Sequence, residues 1–205
     1  VGYARVAAAC ADFITDIEEE KAMLLDRARA QLLVVDVQER LLPAMDEGER
    51  MVERCAILMQ AAHRLGIPIT VSEQYRKGLG ATVARLDNIK GDAALLEKAH
   101  FSCAADPAIA AHVGGLARAG RHQLVICGIE AHVCVTQSAL GFKEMGLPVT
   151  VVADAVTSRR PESVALAITR LSAAGVTIAN TEMALFEWLH QAGTPEFKDL
   201  SKLIK

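Results

Sequence analysis

A chain of 205 residues and 21.9 kDa, with a formal net charge of −3, a pI near 6.1 and no run of Lys or Arg, lacks the electrostatic footprint of a protein that holds nucleic acid or an anionic membrane surface. Its length suits one domain, because a single core can grow to about 250 residues before chains tend to split. The 52% hydrophobic content beside 23% charged residues predicts strands covered on both faces and a buried contact between copies, yet no apolar stretch approaches the roughly 18 residues of a membrane helix.

Residues 1–22 differ from the rest of the chain and read as an N-terminal extension of uncertain status, with the acidic cluster Asp16, Glu18, Glu19 and Glu20. The opening VGYARVAAACADF has too short an apolar centre for a secretory signal. A single domain is expected over residues 23–205. It starts with LLVV (32–35), an unbroken β-favouring run. Met51, Cys55, Leu58, Ala62 and Leu65 then share one helix face, with Asp46 and Glu49 as a capping-box-like start and Gly66 as the stop.

Ile67–Val71 predicts a second strand, and the segment around Lys77, Gly78 and Gly80 a long loop of the kind compact domains keep for function. Ala94–Glu97 reads as a third strand. Asp106 and Pro107 open a helix with Ile109, Val113 and Leu116 on one side, closed by Gly120. A buried strand over His122–Cys127 leads to a helix from about His132 to Met145. The unit recurs as a strand over Val149–Val152, a helix opened by Pro161 with Val164, Ile168 and Leu171 aligned, a strand over Val176–Ile178 and a last helix from Thr181. Such alternation predicts an α/β fold with a largely parallel sheet and right-handed crossovers. The tail TPEFKDLSKLIK is expected to pack on a neighbouring surface.

Three chemically useful residues stand where strand-like runs give out: Asp36 after LLVV, Lys98 after ALLE, and Cys134 shortly after LVICG. In an open parallel sheet the carboxyl ends of the strands share one edge, and the ligand crevice opens there, so an acid, an ammonium and a thiol are brought to one cleft. Asp36, partly desolvated, is placed to accept a proton; capping a turn or pairing with Arg40 is its structural alternative. Lys98 alone is an ordinary solvated side chain and gains meaning only from its company. Cys134 begins a helix, where oriented N–H groups favour a thiolate over a thiol and are able to hold an oxyanion.

The five cysteines (Cys10, Cys55, Cys103, Cys127, Cys134) form no CxxC pair, and an odd count leaves at least one free thiol, which fits a reducing compartment such as the cytoplasm. Cys55 and Cys127 read as core residues, and Cys103 as part of a pocket wall. His63, His100, His112, His122 and His190 show no metal-binding spacing.

Three segments, VVDVQERLLPAM, LLEKAHFSC and VICGIEAHVCVTQSALGFKEMG, resemble in order the aspartate, lysine and cysteine motifs of the isochorismatase-like cysteine hydrolases, over about residues 23–190. The resemblance implies a doubly wound, six-stranded parallel sheet flanked by helices, assembly into homo-oligomers, and a non-proline cis peptide between Ile129 and Glu130. It also implies a mechanism. Asp36 takes the thiol proton, Lys98 stabilises the charged state, Cys134 attacks an electrophilic carbon, and the backbone N–H groups of Glu130 and Cys134 hold the oxyanion.

Relatives that act on isochorismate itself lack the nucleophilic cysteine, so Cys134 implies hydrolysis of a small amide or related C–N bond through a thioester. Where nicotinamidases carry a metal-binding Asp and His cluster, this chain has SEQYRKGLG, so no metal and no cofactor is expected. The EQYRKGLG and KAHFSC segments and the FKDLSKLIK tail resemble instead the isochorismatase domain-containing, metal-independent subgroup. Gln38, Gln74, Tyr75, Phe101 and His132 are candidates for the pocket wall; Arg159 and Arg160 suit a cleft rim, a subunit contact or a solvated turn. The expected partners are a small-molecule substrate and further copies of the chain, with no nucleic acid and no membrane. Two other readings stand beside hydrolysis: an oligomeric scaffold with incidental activity, and RNA processing, which the acidic balance disfavours.

Overall fold

The structure, a computed structural model, describes residues 24–204; the extension expected over residues 1–22 and Cys10 lie outside the described residues. Six strands, β1 (Ala30–Val35), β2 (Ile69–Gln74), β3 (Ala94–Lys98), β4 (Gln123–Ile129), β5 (Val149–Thr157) and β6 (Thr177–Ala179), form one all-parallel sheet in the order β3-β2-β1-β4-β5-β6. This is the doubly wound, six-stranded architecture that the family resemblance implies, and the parallel sheet that the alternation of strand and helix predicts. The chain winds outward from β1 to β3, returns to place β4 on the other side of β1, and winds outward again. The crevice therefore opens beyond the carboxyl ends of β1 and β4.

The helices are α1 (Gly48–Leu65), the single turns α2 (Arg76–Leu79) and α3 (Ala84–Asp87), α4 (Pro107–Arg118), α5 (Thr136–Glu144), α6 (Pro161–Ala173), α7 (Thr181–Leu189) and α8 (Pro195–Leu200). Alternate residues of β1 face opposite sides, as the strand period of two requires. Leu32 and Val34 pack in a core with Cys55, Leu58 and Met59 of α1 and Trp188 of α7, whereas Leu33 and Val35 pack in a second core with Ile109 and Val113 of α4, Phe142 of α5 and Leu171 of α6. Every residue of β1 is buried, which explains the unbroken apolar run.

Several boundaries depart from the periodicity. The expected capping box at Asp46 and Glu49 does not form: the N-cap of α1 is Glu47, in left-handed conformation at φ 45°, with no side-chain cap. Asp46 is instead tied to the end of β5, its N–H donating to Ser158 O at 3.0 Å and its carbonyl accepting from Thr157 Oγ1 at 2.6 Å. Gly66 does stop α1, at φ 67°. Strand β2 runs on past Val71 through Ser72, Glu73 and Gln74, all buried. The long loop around Gly78 is a compact insert: α2, then an antiparallel bridge between Gln38 and Thr82, then α3.

Gly128 faces Val35 across the β1–β4 pair, and a Cβ there would fall 2.1 Å from the Val35 carbonyl oxygen, so only glycine lets the two strands meet at the crevice. The tail folds as α8 followed by a 3₁₀ turn (Ser201–Ile204), with Phe197, Leu203 and Ile204 packed on the α1 core and Arg64 of α1 bonded to Asp199 at 3.1 Å. Among the described residues no helix is long and apolar enough to cross a membrane.

Candidate active site

Asp36 is the first residue after β1, and it turns the chain with φ 52°, a left-handed conformation that Asp tolerates better than most residues. Lys98 closes β3. The two meet as a fully buried ion pair, Lys98 Nζ to Asp36 Oδ2 at 2.6 Å. A buried pair is costly to desolvate, and it persists where further hydrogen bonds satisfy both ions. Here they do. Lys98 Nζ also donates to Gln74 Oε1 at 2.7 Å and to the carbonyls of His100 and Phe101 at 3.2 Å, while Asp36 Oδ1 accepts from Ser72 Oγ at 2.7 Å.

The chain leaves β4 through an Ile129–Glu130 peptide that is cis, and enters a π-helical turn (Ala131–Val135) before α5 begins. The expected helix from His132 to Met145 therefore divides into a wide turn and a shorter helix. Glu130 O accepts from Val133 N at 3.0 Å and Val135 N at 3.2 Å, and Thr136 Oγ1 caps Ala131 O at 2.6 Å. Such turns recur at functional sites. Cys134 lies within it, 6% exposed, facing the ion pair.

The charge state of that sulfur differs from the helix-terminus expectation. Burial pushes the Cys134 thiol well above its ordinary value; the Asp36 carboxylate beside it pushes the same way, as a negative charge and as an acceptor for the S–H, while the Lys98 ammonium only partly opposes them. The resting group is a thiol beside a carboxylate. A second buried thiol, Cys103, is pushed up to about 11, by burial first and the charge of Asp36 second. Its Sγ approaches Ser72 Oγ at 3.6 Å, and its N–H donates to Ser138 Oγ at 2.8 Å.

The five pocket candidates differ in burial and bonding. Gln38 is fully buried, its Oε1 accepting from Gln74 N at 2.7 Å and its Nε2 donating to Gln74 O at 3.0 Å and Gly80 O at 2.7 Å, so its amide holds the insert against β2. Gln74 is buried between Lys98 and Ala99 O. Tyr75 and Phe101 stand 60% and 57% exposed, each tied to Lys98 through its backbone: Tyr75 N–H donates to Lys98 O at 2.9 Å, and Phe101 O accepts from Lys98 Nζ at 3.2 Å. His132 shares the turn with Cys134, its Nδ1 2.9 Å from Ser158 Oγ. Glu130 accepts from Arg159, at 3.0 Å from Nε, which draws that arginine to the turn. Among the described residues no group of three His, Cys, Asp or Glu side chains is placed to hold a metal ion.

Sequence reasoning passed over Ser72, which touches Asp36 directly, and Glu73, whose buried carboxylate accepts from Thr82 N, Thr82 Oγ1 and Arg76. The available signal was three polar residues, SEQ, continuing directly from an apolar strand.

This arrangement on a doubly wound sheet is the isochorismatase-like hydrolase fold, shared with a solved MAR1 ribonuclease from Caenorhabditis elegans, which is 31% identical with a TM-score of 0.82, the match covering 89% of this chain and 92% of that one. The Escherichia coli YcaC product, an octameric hydrolase of unknown specificity, shares the fold at 23% identity and a TM-score of 0.80, over 90% of this chain and 96% of that one. Residues 30–183 match the isochorismatase domain model, and the zebrafish (Danio rerio) isochorismatase domain-containing protein 1 is 35% identical over 88% of this chain. The chain belongs to the isochorismatase family. Its match spans 62% of the zebrafish protein's own length.

Proposed function

We propose that the protein is a metal-independent cysteine hydrolase that cleaves a small amide or related C–N bond through a thioester on Cys134. One observation carries this reading: a single buried carboxylate, Asp36, faces both an ammonium and a thiol. A thiol held protonated at rest needs a base at the moment of attack. Asp36 takes the proton as the sulfur bonds to the carbonyl carbon, and Lys98 offsets the charge of the site. The tetrahedral oxygen is held by the backbone N–H groups of Glu130 and Cys134. As the C–N bond breaks, the proton passes from Asp36 to the leaving amine, and water then hydrolyses the thioester to release the acid and restore the thiol.

The four described cysteines are free thiols, which suits a reducing cytoplasm. The octameric state of the E. coli YcaC product, which shares the fold, supports assembly with further copies. Residues 23–205 act as one domain. The solved C. elegans relative is a ribonuclease by name, but the net charge of −3 and the absence of a basic run favour a small substrate for this chain over RNA.

The test is turnover of a panel of small amides by the wild type and Cys134→Ala. Loss of about a thousandfold or more in kcat is expected, the scale on which removal of a nucleophile acts. Full turnover by the variant on a genuine substrate contradicts the proposal.

A further inference from the structure

Asp36 is gripped at two points by one residue of the neighbouring strand. Its N–H donates to Ser72 O at 3.1 Å, and its Oδ1 accepts from Ser72 Oγ at 2.7 Å. Both grips act on a residue in the left-handed region, where the chain has just left β1 and no further strand pairing constrains it. Ser72 is wholly buried, and its hydroxyl has a second neighbour, Cys103 Sγ at 3.6 Å, with the S–H as donor. A hydroxyl carries one proton. With Cys103 donating to it, that proton is directed at Asp36.

Two residues further along β2, on the same face, Gln74 holds Lys98 at 2.7 Å. One strand thus supports both members of the ion pair, with Oδ1 of Asp36 assigned to Ser72 and Oδ2 to Lys98. We infer that Ser72 is a positioning residue for the acid–base step: it fixes the rotation of the Asp36 carboxylate so that the face turned to Cys134 is ready to take the thiol proton. The inference rests on the catalytic reading above and adds to it a residue that touches neither substrate nor sulfur of the nucleophile.

The experiment follows alkylation of Cys134 by iodoacetamide, read by intact mass and peptide mapping, together with kcat and KM on any amide the enzyme turns over. Five proteins are compared: wild type, Ser72→Ala, Asp36→Asn, the double variant of these two, and Ser72→Thr. A hydrogen bond to a charged group of this kind predicts that Ser72→Ala lowers the alkylation rate and kcat by about tenfold to a hundredfold, with KM within about twofold. In the Asp36→Asn background the same substitution costs less than about twofold, because Ser72 acts only through that carboxylate. Ser72→Thr, which keeps the hydroxyl, restores most of the rate and guards against a folding defect in the alanine variant.

A rate within twofold of wild type for Ser72→Ala, or an equal loss in both backgrounds, overturns the inference for Ser72 alone. An unchanged rate in Asp36→Asn overturns the catalytic reading beneath it, and the two failures are thereby told apart.

Discussion

Two buried pairs of cysteines lie on opposite faces of the same sheet, and they make a natural contrast. Cys55 and Cys127 belong to the core beneath α1, Cys103 and Cys134 to the core beneath α5. Burial raises a thiol in both places. For Cys55, a hydrogen bond with Cys127 is the largest cause and burial the next, the Asp154 carboxylate adds only a lesser charge effect, and the sulfur approaches Met51 Sδ and Ala155 O, each at 3.4 Å. Cys134 faces a carboxylate backed by an ammonium. A buried thiol is therefore inert by default, and a carboxylate that accepts directly from the S–H, itself neutralised by a cation, separates a candidate nucleophile from a packing residue.

The strongest way to break this contrast is to remove the cation. Lys98→Met leaves Asp36 buried without its partner, a change that costs about 3–5 kcal/mol in comparable pairs. Urea unfolding should show a loss of that order, with kcat falling by at least about a hundredfold. A variant as stable and as active as the wild type would show that the ion pair supports neither fold nor catalysis.

A smaller effect is expected from pH. Cys103 is pushed from its ordinary 9.0 up to about 11 in the folded protein, so the fold favours its protonated form. That stability is fully present below about pH 9 and is lost as pH rises towards 11, because the unfolded chain releases the proton first. The gap corresponds to about 2–3 kcal/mol. Unfolding followed between pH 8 and pH 11 should show stability falling with rising pH, less steeply in Cys103→Ala; equal slopes for the two proteins would contradict it.

The smallest effect belongs to the other face. Cys55→Ala trims a packed side chain and should cost about 1–2 kcal/mol of stability, leaving kcat within twofold of wild type. A large loss of kcat with stability intact would show that the two faces are not chemically separate.

The residues that meet at the crevice were legible because each follows an apolar run, and the doubly wound order brings the ends of β1, β3 and β4 to one edge. The supports were not. Hydrophobic alternation ends β2 at Val71, yet the strand continues because Ser72, Glu73 and Gln74 find buried partners that a linear pattern does not display. Likewise the apolar run of β5 ends at Val152, but the strand continues to Thr157 past an irregularity in its pairing with β4, which register alone reveals. The acidic start of α1 failed as a cap because the backbone of Asp46 is bonded to the end of β5 and the helix begins one residue later, after Glu47 in the left-handed region. The thiolate expected at Cys134 from a helix terminus failed for an energetic reason: burial and the charge of Asp36 outweigh Lys98.

Intact-mass detection of an acyl adduct during turnover of small amides, by the wild type and by Lys98→Ala, with the adduct mapped by peptide analysis, probes the chemistry at its decisive step. The thioester mechanism predicts an adduct on Cys134 in the wild type that is formed far more slowly when Lys98 is gone. Turnover without any adduct on that sulfur under rapid quenching, or an adduct formed equally fast without Lys98, would contradict it.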